Sequence, residues 1–316
     1  MRTAVDPTVL PQKTSFHIST HHLMHLAMVI TVFCWAANMV AVKEALFGFS
    51  PMALTLVRAI AVAVTFGILF LLLRDRSLLR LTRRQWLHFV VIAFFGVTVN
   101  QMLFIYGVAY TNIPHAALII AVEPVMVLVL SVVMRLEVLT ALKFAGMAIS
   151  LTGVLLLTYG KPAQGSQAYW LGDLIMLVEV VVFAYYTILM KEVINQYDVV
   201  TLNTVVFGLG ALMMVPFGAR AVLHVNWSQV PLRAVFGLGF MTFFSCVIGY
   251  LLFAYALKGL TASRVAAFNY IEPVMATALG IWLLHDKVGL WAVLGGALIL
   301  LGVYFTEWER DEEQAT

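Results

Sequence analysis

Hydrophobic residues run along this chain in long stretches that are separated by short polar breaks. Ten of these stretches hold about 20 mostly apolar residues each, which is enough for an α-helix to cross the hydrocarbon core of a bilayer. The breaks carry turn or charge signals and are too short to hold a soluble domain. The predicted spans cover residues 23–46, 51–73, 86–108, 113–134, 139–159, 170–191, 199–219, 233–257, 261–284 and 288–307.

The composition agrees with this pattern and excludes a soluble protein. Hydrophobic residues make up 62% of the 316 residues and charged residues only 11%, with a mean hydropathy of +0.97, whereas soluble domains carry about 25% charged residues. The sequence therefore predicts an integral membrane protein. Several His residues cluster near the amino terminus without a carboxylate or cysteine beside them, which favours the start of an interfacial helix over a metal site.

The positions of Lys and Arg predict how the chain enters the membrane, because cytoplasmic loops carry an excess of both residues. Of the 19 Lys and Arg residues, thirteen fall on the side of the amino terminus, five fall on the opposite side, and Arg58 lies inside a span. We therefore expect a multi-pass protein of the cell membrane (inner or plasma membrane) with both termini in the cytoplasm.

The two halves of the chain repeat one another. The tetrapeptide EPVM at residues 123–126 recurs 149 residues later at 272–275, and further identities at or near this offset run through both halves. Each half holds five spans, and because five is odd the second half must cross the membrane upside down, as in many secondary transporters. We predict an all-α integral membrane protein whose ten transmembrane helices form two inverted five-helix repeats around a central cavity. The expected parts are a flexible cytoplasmic tail (1–22), the first repeat (23–160), the second, inverted repeat (168–308) and a cytoplasmic tail (309–316).

Both EPVM copies place a Glu-Pro pair at the middle of a span, where an ionisable group costs at least about 2.5–3.5 kcal/mol on insertion scales. Pro124 and Pro273 each remove a backbone N–H from the helical ladder, so both helices are expected to bend there beside an aqueous cavity. Glu123 and Glu272 are therefore candidates for substrate contact, proton coupling or the conformational change. The alternative is that both pairs are structural bends in which each Glu bonds to a neighbouring helix.

Other polar or aromatic residues inside the spans are candidates for the same cavity, since intramembrane polar groups usually face the interior of the bundle. They are Trp35, Asn38, Arg58, Asn100, Gln101, Glu179, Tyr186 and Asn269. Arg58 is expected to pair with Glu179 or Glu123, and the alternative is that it belongs to the substrate site. Trp35 and Tyr186 are expected either to stack on a planar substrate or to pack against other rings.

The neighbours of each Glu along the chain suggest a division of roles. Glu123 follows apolar residues, which favours it as a proton carrier. Glu272 has Asn269 and Tyr270 close by in sequence, which favours it for hydrogen bonding to the substrate.

Several motifs occur in the same order in the two halves and together resemble the drug/metabolite transporter superfamily, in particular its EamA-type ten-helix members. The motifs are Trp35 with Asn38, Phe49-Ser50-Pro51 with Arg58, Glu123-Pro124, Leu136-Glu137, Gly146 and Gly153-Val154, then Ala256-Leu257, Thr261-Ala262, Glu272-Pro273, Gly295 and Gly302-Val303. The similarity covers about residues 25–306. One departure is Asp286 after His285, where the family usually has Gly-Glu, so the turn between the ninth and tenth spans is expected to differ locally.

The resemblance implies a secondary transporter, often an exporter, of a small metabolite such as an amino acid, with the fifth and tenth spans at the periphery. Two alternatives stay open. A transporter of a nucleotide-linked or phosphorylated solute would need more cations in the cavity than Arg58. A membrane-embedded lipid-modifying enzyme would need paired catalytic groups near an interface.

The expected partners are a small-molecule substrate, the lipid bilayer and, as a candidate coupling ion, a proton. The chain is expected to be a monomer or a homodimer. No enzymatic activity, catalytic residue, cofactor, metal site or nucleic-acid partner is expected.

Overall fold

The computed structural model describes residues 20–73, 82–111, 113–158, 169–275 and 290–308, and within these ranges every regular element is helical. The expected tails lie mostly outside the described residues, as does the turn at Asp286. The first half contains α1 (Thr20–Ala45), α2 (Pro51–Leu73), α3 (Arg83–Ala93), a π-helical segment (Phe94–Val99), α4 (Asn100–Tyr110), α5 (Ile113–Ile120), α6 (Glu123–Val133) and α7 (Ala141–Thr158).

The second half follows the same plan. It contains α8 (Trp170–Val193), α9 (Val199–Leu223), a 3₁₀ turn (Trp227–Gln229), α10 (Leu232–Phe240), a second π-helical segment (Met241–Ile248), α11 (Gly249–Gly259), α12 (Ala262–Ala267), a 3₁₀ turn (Phe268–Ile271), a helical stretch at 272–275 and α13 (Leu290–Trp308).

The helices of the described residues account for the predicted spans. Seven are long and apolar enough to cross a membrane, and two of these are the composite rods Arg83–Tyr110 and Leu232–Gly259 that contain the π-helical segments. Two further apolar helices, Ala141–Leu156 and Val293–Thr306, are shorter. The ninth predicted span is described only as far as Met275.

Side-chain caps explain where several of these helices begin. Thr82 and Gln85 form a capping box at the start of α3, with the side chain of each accepting the backbone N–H of the other. The carboxylate of Asp198 and the hydroxyl of Thr261 accept backbone N–H groups in the first turns of α9 and α12. Pro51 occupies the first position of α2, where a missing N–H costs no helical hydrogen bond.

The packing of helices follows a pseudo-two-fold axis. Two pairs of equivalent helices pack against each other, α2 with α9 and α7 with α13. The two helices of each pair therefore lie on opposite sides of the axis. The contact of α1 with α11 has its counterpart in the contact of α4 with α8. The protein is thus an all-α integral membrane protein of two inverted repeats around a central cavity, as predicted, and the described residues contain at least part of each of the ten predicted spans.

Glycines set the distance between α7 and α13. A Cβ atom added to Gly153 would lie 2.7 Å from both the carbonyl oxygen of Gly295 and the amide nitrogen of Ile299. Gly146 meets the backbone of Gly302 in the same way. Small residues on facing helices permit this close backbone approach.

Each repeat also contains a lysine that caps the end of another helix. Lys43, in the last turn of α1, donates from Nζ to the carbonyl oxygen of Thr111 at the end of α4 (2.7 Å). Lys191, in the last turn of α8, donates to the carbonyl oxygens of Leu257 (2.7 Å) and Leu260 (2.6 Å) at the end of α11. A cation at a helix C-terminus satisfies free carbonyls and opposes the helix dipole.

Candidate functional site

The two π-helical segments are equivalent parts of the two repeats, and each leads directly into candidate site residues. Phe94–Val99 ends just before Asn100 and Gln101, and Met241–Ile248 ends two residues before Tyr250. A π-helical turn is uncommon and often occurs at functional sites. The hydrophobic pattern of the sequence did not distinguish these segments from ordinary helix.

Three side chains form a hydrogen-bonded chain across the pseudo-two-fold axis. Nη2 of Arg58 donates to Oε1 of Gln101, and Nε2 of Gln101 donates to the hydroxyl of Tyr250 (2.6 Å). Gln101 and Tyr250 are 149 residues apart and are therefore equivalent residues that meet on the axis. Arg58 has a side chain that is almost fully buried, with 2% of its surface exposed.

The expected ion pair of Arg58 is not formed. Within the described part of the chain, no carboxylate oxygen lies within 4.0 Å of the guanidinium group. The prediction that Arg58 pairs with Glu179 or Glu123 is therefore wrong. The amide of Gln101 takes the place of the carboxylate.

The three carboxyl groups of the site have different hydrogen-bond partners. Nδ2 of Asn100 donates to Glu179 (2.7 Å), and Nδ2 of Asn269 donates to Glu123 (2.8 Å). No side chain or backbone group of the described residues donates to Glu272. Asn269 lies close to Glu272 in sequence, but its amide reaches across to Glu123 of the other repeat.

Both Glu-Pro pairs follow an interruption of the helix. In the first repeat α5 ends at Ile120 and α6 begins at Glu123, so Pro124 lies in the first turn of a new helix. In the second repeat the chain tightens into the 3₁₀ turn Phe268–Ile271 immediately before Glu272. Proline is tolerated in a first turn, so the irregular backbone lies just before each pair.

A cavity lies between the two repeats and brings most of these residues together. It contains about 500 Å³ of empty space, counting the part that is open to its surroundings. Its walls are formed by Trp35, Asn38, Arg58, Asn100, Gln101, Phe104, Ile120, Glu123, Glu179, Phe183, Ser245, Cys246, Tyr250 and Glu272.

Eight of the ten polar and aromatic residues selected from the sequence line this cavity. Tyr186 and Asn269 do not line it, but each contacts a residue that does. The ring of Tyr186 lies 5.6 Å from that of Phe183, and Asn269 holds Glu123.

Several lining residues were not predicted from the sequence, although two of them had a detectable signal. Tyr250 is the repeat equivalent of Gln101, and Phe183 lies one helical turn after Glu179 on α8. Apolar lining residues such as Ile120 and Cys246 cannot be told from core residues by residue type.

An aromatic wall that includes Trp35, Phe183 and Tyr250 lines part of the cavity. The ring of Trp35 lies 5.6 Å from Phe183, 5.7 Å from Tyr250 and 5.5 Å from Phe253. The indole nitrogen of Trp35 donates to the backbone carbonyl of Ser245 (3.2 Å), which fixes the orientation of the ring. The predicted packing of Trp35 against other rings is therefore observed.

The chemistry of the cavity favours a solute that has both a charged and an apolar part. Three carboxyl groups and the single guanidinium among the lining residues offer sites for a cation and for an anion. Buried polar atoms without partners, among them Oδ1 of Asn38, are further groups to which a solute could bond.

These features define a class of protein, namely a polytopic helical membrane protein with a polar cavity between inverted repeats. Comparison with known proteins then identifies the family. The sequence profile of the EamA-like transporter family matches residues 22–159 and 170–308, one copy in each repeat. The chain belongs to the EamA-like transporter family, as the sequence motifs suggested.

Two relatives and one solved structure illustrate the similarity. The chain is 26% identical over 283 residues to an uncharacterized transporter of Archaeoglobus fulgidus, covering 89% of this chain and 96% of the relative. It is 26% identical over 282 residues to a probable terminal-alkyne amino-acid exporter of Streptantibioticus cattleyicolor, covering 88% and 91%. A solved structure described as the crystal structure of a protein has the same fold, with a TM-score of 0.70, 18% identity and coverage of 90% and 96%.

Proposed function

We propose that the protein is a secondary active exporter of a small metabolite that carries both an amine and a carboxylate, such as an amino acid, and that it works by alternating access. The observation that carries this proposal is the cavity itself, in which acidic residues of both repeats face one buried Arg58. The relationship to a probable amino-acid exporter supports the same substrate class.

The parts of such a solute have natural partners in the cavity. A carboxylate would bind the guanidinium of Arg58, which matches carboxylate geometry and has no carboxylate of the described residues within 4.0 Å. An ammonium group would bind Glu179, Glu123 or Glu272. An apolar or aromatic side chain would pack on the wall formed by Trp35.

The orientation in the membrane is part of the proposal. The excess of Lys and Arg on the side of the amino terminus supports a cytoplasmic location for both termini in the cell membrane. Repeats related by an in-plane axis support a mechanism in which the halves rock to open the cavity to one side and then the other.

We assign proton coupling to Glu272, in place of Glu123. The Asn269 amide stabilises the charged form of Glu123, whereas no group of the described residues donates to Glu272. A buried carboxylate without a donor is costly, so neutralisation by a proton would remove a cost of burial at Glu272 that no hydrogen bond offsets.

The proposal is tested by uptake into proteoliposomes with and without a pH gradient. The panel contains phenylalanine, leucine, glutamate, a nucleotide sugar and a sugar phosphate. We expect gradient-stimulated transport of neutral amino acids. Transport of the phosphorylated solutes alone would favour the alternative substrate class, and transport of no amino acid would refute the proposal.

The assignment of Glu272 has its own test. Glu272→Gln should abolish accumulation driven by the pH gradient while exchange of labelled for unlabelled solute continues. The matched variant Glu123→Gln should keep its response to the gradient and bind solute more weakly. The opposite result would return the role of proton carrier to Glu123.

A further inference from the structure

A second pocket lies at the amino-terminal face of the bundle, the face at which α1 begins and α8 ends. It contains about 700 Å³ of empty space, counting the part that is open to its surroundings. Its walls come from the first turns of α3 and from the end of α8 with the following loop. They consist of Arg84, Gln85, His88, Phe89, Glu192, Val193, Gln196 and Tyr197.

This pocket and the central cavity lie along the same two elements. On the rod Arg83–Tyr110, Phe89 lines the pocket and Asn100 lines the cavity, and eleven residues of helix correspond to roughly 16 Å. On α8, Val193 lines the pocket and Glu179 lines the cavity. A solute that moves between the two sites would follow this helix pair along most of its length.

Two aromatic contacts separate the pocket from the cavity. The rings of Phe89 and Tyr197 meet edge to face with centroids 5.0 Å apart at the pocket. Further along, the ring of Tyr186 packs on Gly96 so closely that a Cβ atom there would overlap it. The hydroxyl of Tyr186 is buried and has no hydrogen-bond partner among the described residues.

The pocket carries opposite charges on its two walls. Arg84 and His88 project from α3, and Glu192 projects from the end of α8, with Nε2 of His88 lying 3.6 Å from Oε2 of Glu192. About a third of the side-chain surface of both His88 and Glu192 is exposed. The carboxylate-bearing side chain of Glu192 is therefore partly accessible to a solute.

We propose that this pocket is a second binding site, a loading site in which the transported zwitterion binds before it enters the central cavity. Its ammonium group binds Glu192 and its carboxylate binds Arg84. The rings of Phe89 and Tyr197 form the floor. The side chain of Tyr186 is the barrier that must move away from Gly96 for the solute to pass. The proposal rests on the proposed transport of amine- and carboxylate-bearing solutes.

The test compares the two sides of the membrane in vesicles of both orientations, with labelled phenylalanine as the probe. Glu192→Gln and Arg84→Gln should each raise the half-saturating concentration on the amino-terminal side by about tenfold, the loss expected for one charge-assisted hydrogen bond. The maximal rate and the half-saturating concentration on the opposite side should stay within about twofold. The matched control is Glu44→Gln, because Glu44 is the repeat equivalent of Glu192 and lies at the opposite face.

The outcomes separate this inference from the proposed function. If the wild-type protein transports phenylalanine and neither pocket variant changes the half-saturating concentration, the loading site is refuted while the transporter stands. An equal increase in the half-saturating concentration on both sides of the membrane also refutes the loading site, because the substitution would then act through the central cavity or the fold. If the wild type transports no amino acid of the panel, the proposed function and the loading site both fail.

Discussion

The lysine caps of the two repeats offer a sharp test of how the helices are held together, because equivalent residues make different numbers of bonds. Lys191 donates to two carbonyl oxygens, those of Leu257 and Leu260, at 2.7 and 2.6 Å. Lys43 donates to one, that of Thr111, at 2.7 Å. Replacement of each lysine by methionine keeps most of the apolar stem and removes only the charged donor.

The expected magnitudes follow from the number of bonds lost. A hydrogen bond from a charged group contributes about 1.5–3 kcal/mol. At the lower value, Lys191→Met should reduce the free energy of unfolding by about 3 kcal/mol and Lys43→Met by about 1.5 kcal/mol. The larger loss is expected at the α11 end, where the chain turns into α12.

The measurement is unfolding of the purified protein in mixed micelles as the fraction of denaturing detergent is raised. The control is Lys258→Met, which removes a positive charge in the last turn of α11 but no hydrogen bond to the described residues. It should change the free energy of unfolding by less than about 0.5 kcal/mol. Equal losses for Lys191→Met and Lys43→Met, or a loss for Lys258→Met as large as either, would refute the argument.

Three further predictions concern helix packing, the hydrogen bond at the pseudo-two-fold axis and the membrane topology. Gly153→Ala should destabilise the protein by about 1–3 kcal/mol because its Cβ atom would strike the backbone of the facing helix, whereas Gly208→Ala, where a Cβ atom meets nothing within 4 Å, should not. Tyr250→Phe should lower the free energy of unfolding by about 1 kcal/mol through loss of the bond from Gln101. Reporter fusions should score external after Gln164 and cytoplasmic after Thr316, and a cytoplasmic score after Gln164 would contradict the proposed orientation.

The fold could be predicted from the sequence because its two determinants are visible along the chain. The length of each apolar stretch sets the number of spans, and the repeat of EPVM at 123–126 and 272–275 sets the inversion. The interruptions of helices could not be located, because π-helical and 3₁₀ turns use the same apolar residues as an α-helix. Phe94–Val99 reads as ordinary membrane helix.

Most of the cavity residues could also be selected, since a polar residue inside a span seldom faces lipid. The hydrogen-bond partners of these residues could not be predicted. Asn269 precedes Glu272 by one turn, yet its amide bonds to Glu123 of the other repeat. Arg58 bonds to Gln101 and to no carboxylate of the described residues. Hydrogen bonds across the axis depend on how the two repeats pack against each other, and residues that are adjacent in sequence do not predict that packing.

The hydrogen bond between Gln101 and Tyr250 has a consequence for how the cavity can differ from side to side. Arg58, which bonds to Gln101, corresponds at the same offset of 149 to Phe207, whose ring meets that of Tyr250 edge to face at 5.0 Å. Two identical chains around a two-fold axis would have to present the same pair on both sides. Because both halves belong to one chain, their sequences can differ, and here Arg58 lies at one end of the bond and Phe207 at the other. The two ends of this hydrogen bond therefore have chemically unlike neighbours, Arg58 beside Gln101 and Phe207 beside Tyr250, a difference that a symmetric dimer could not have.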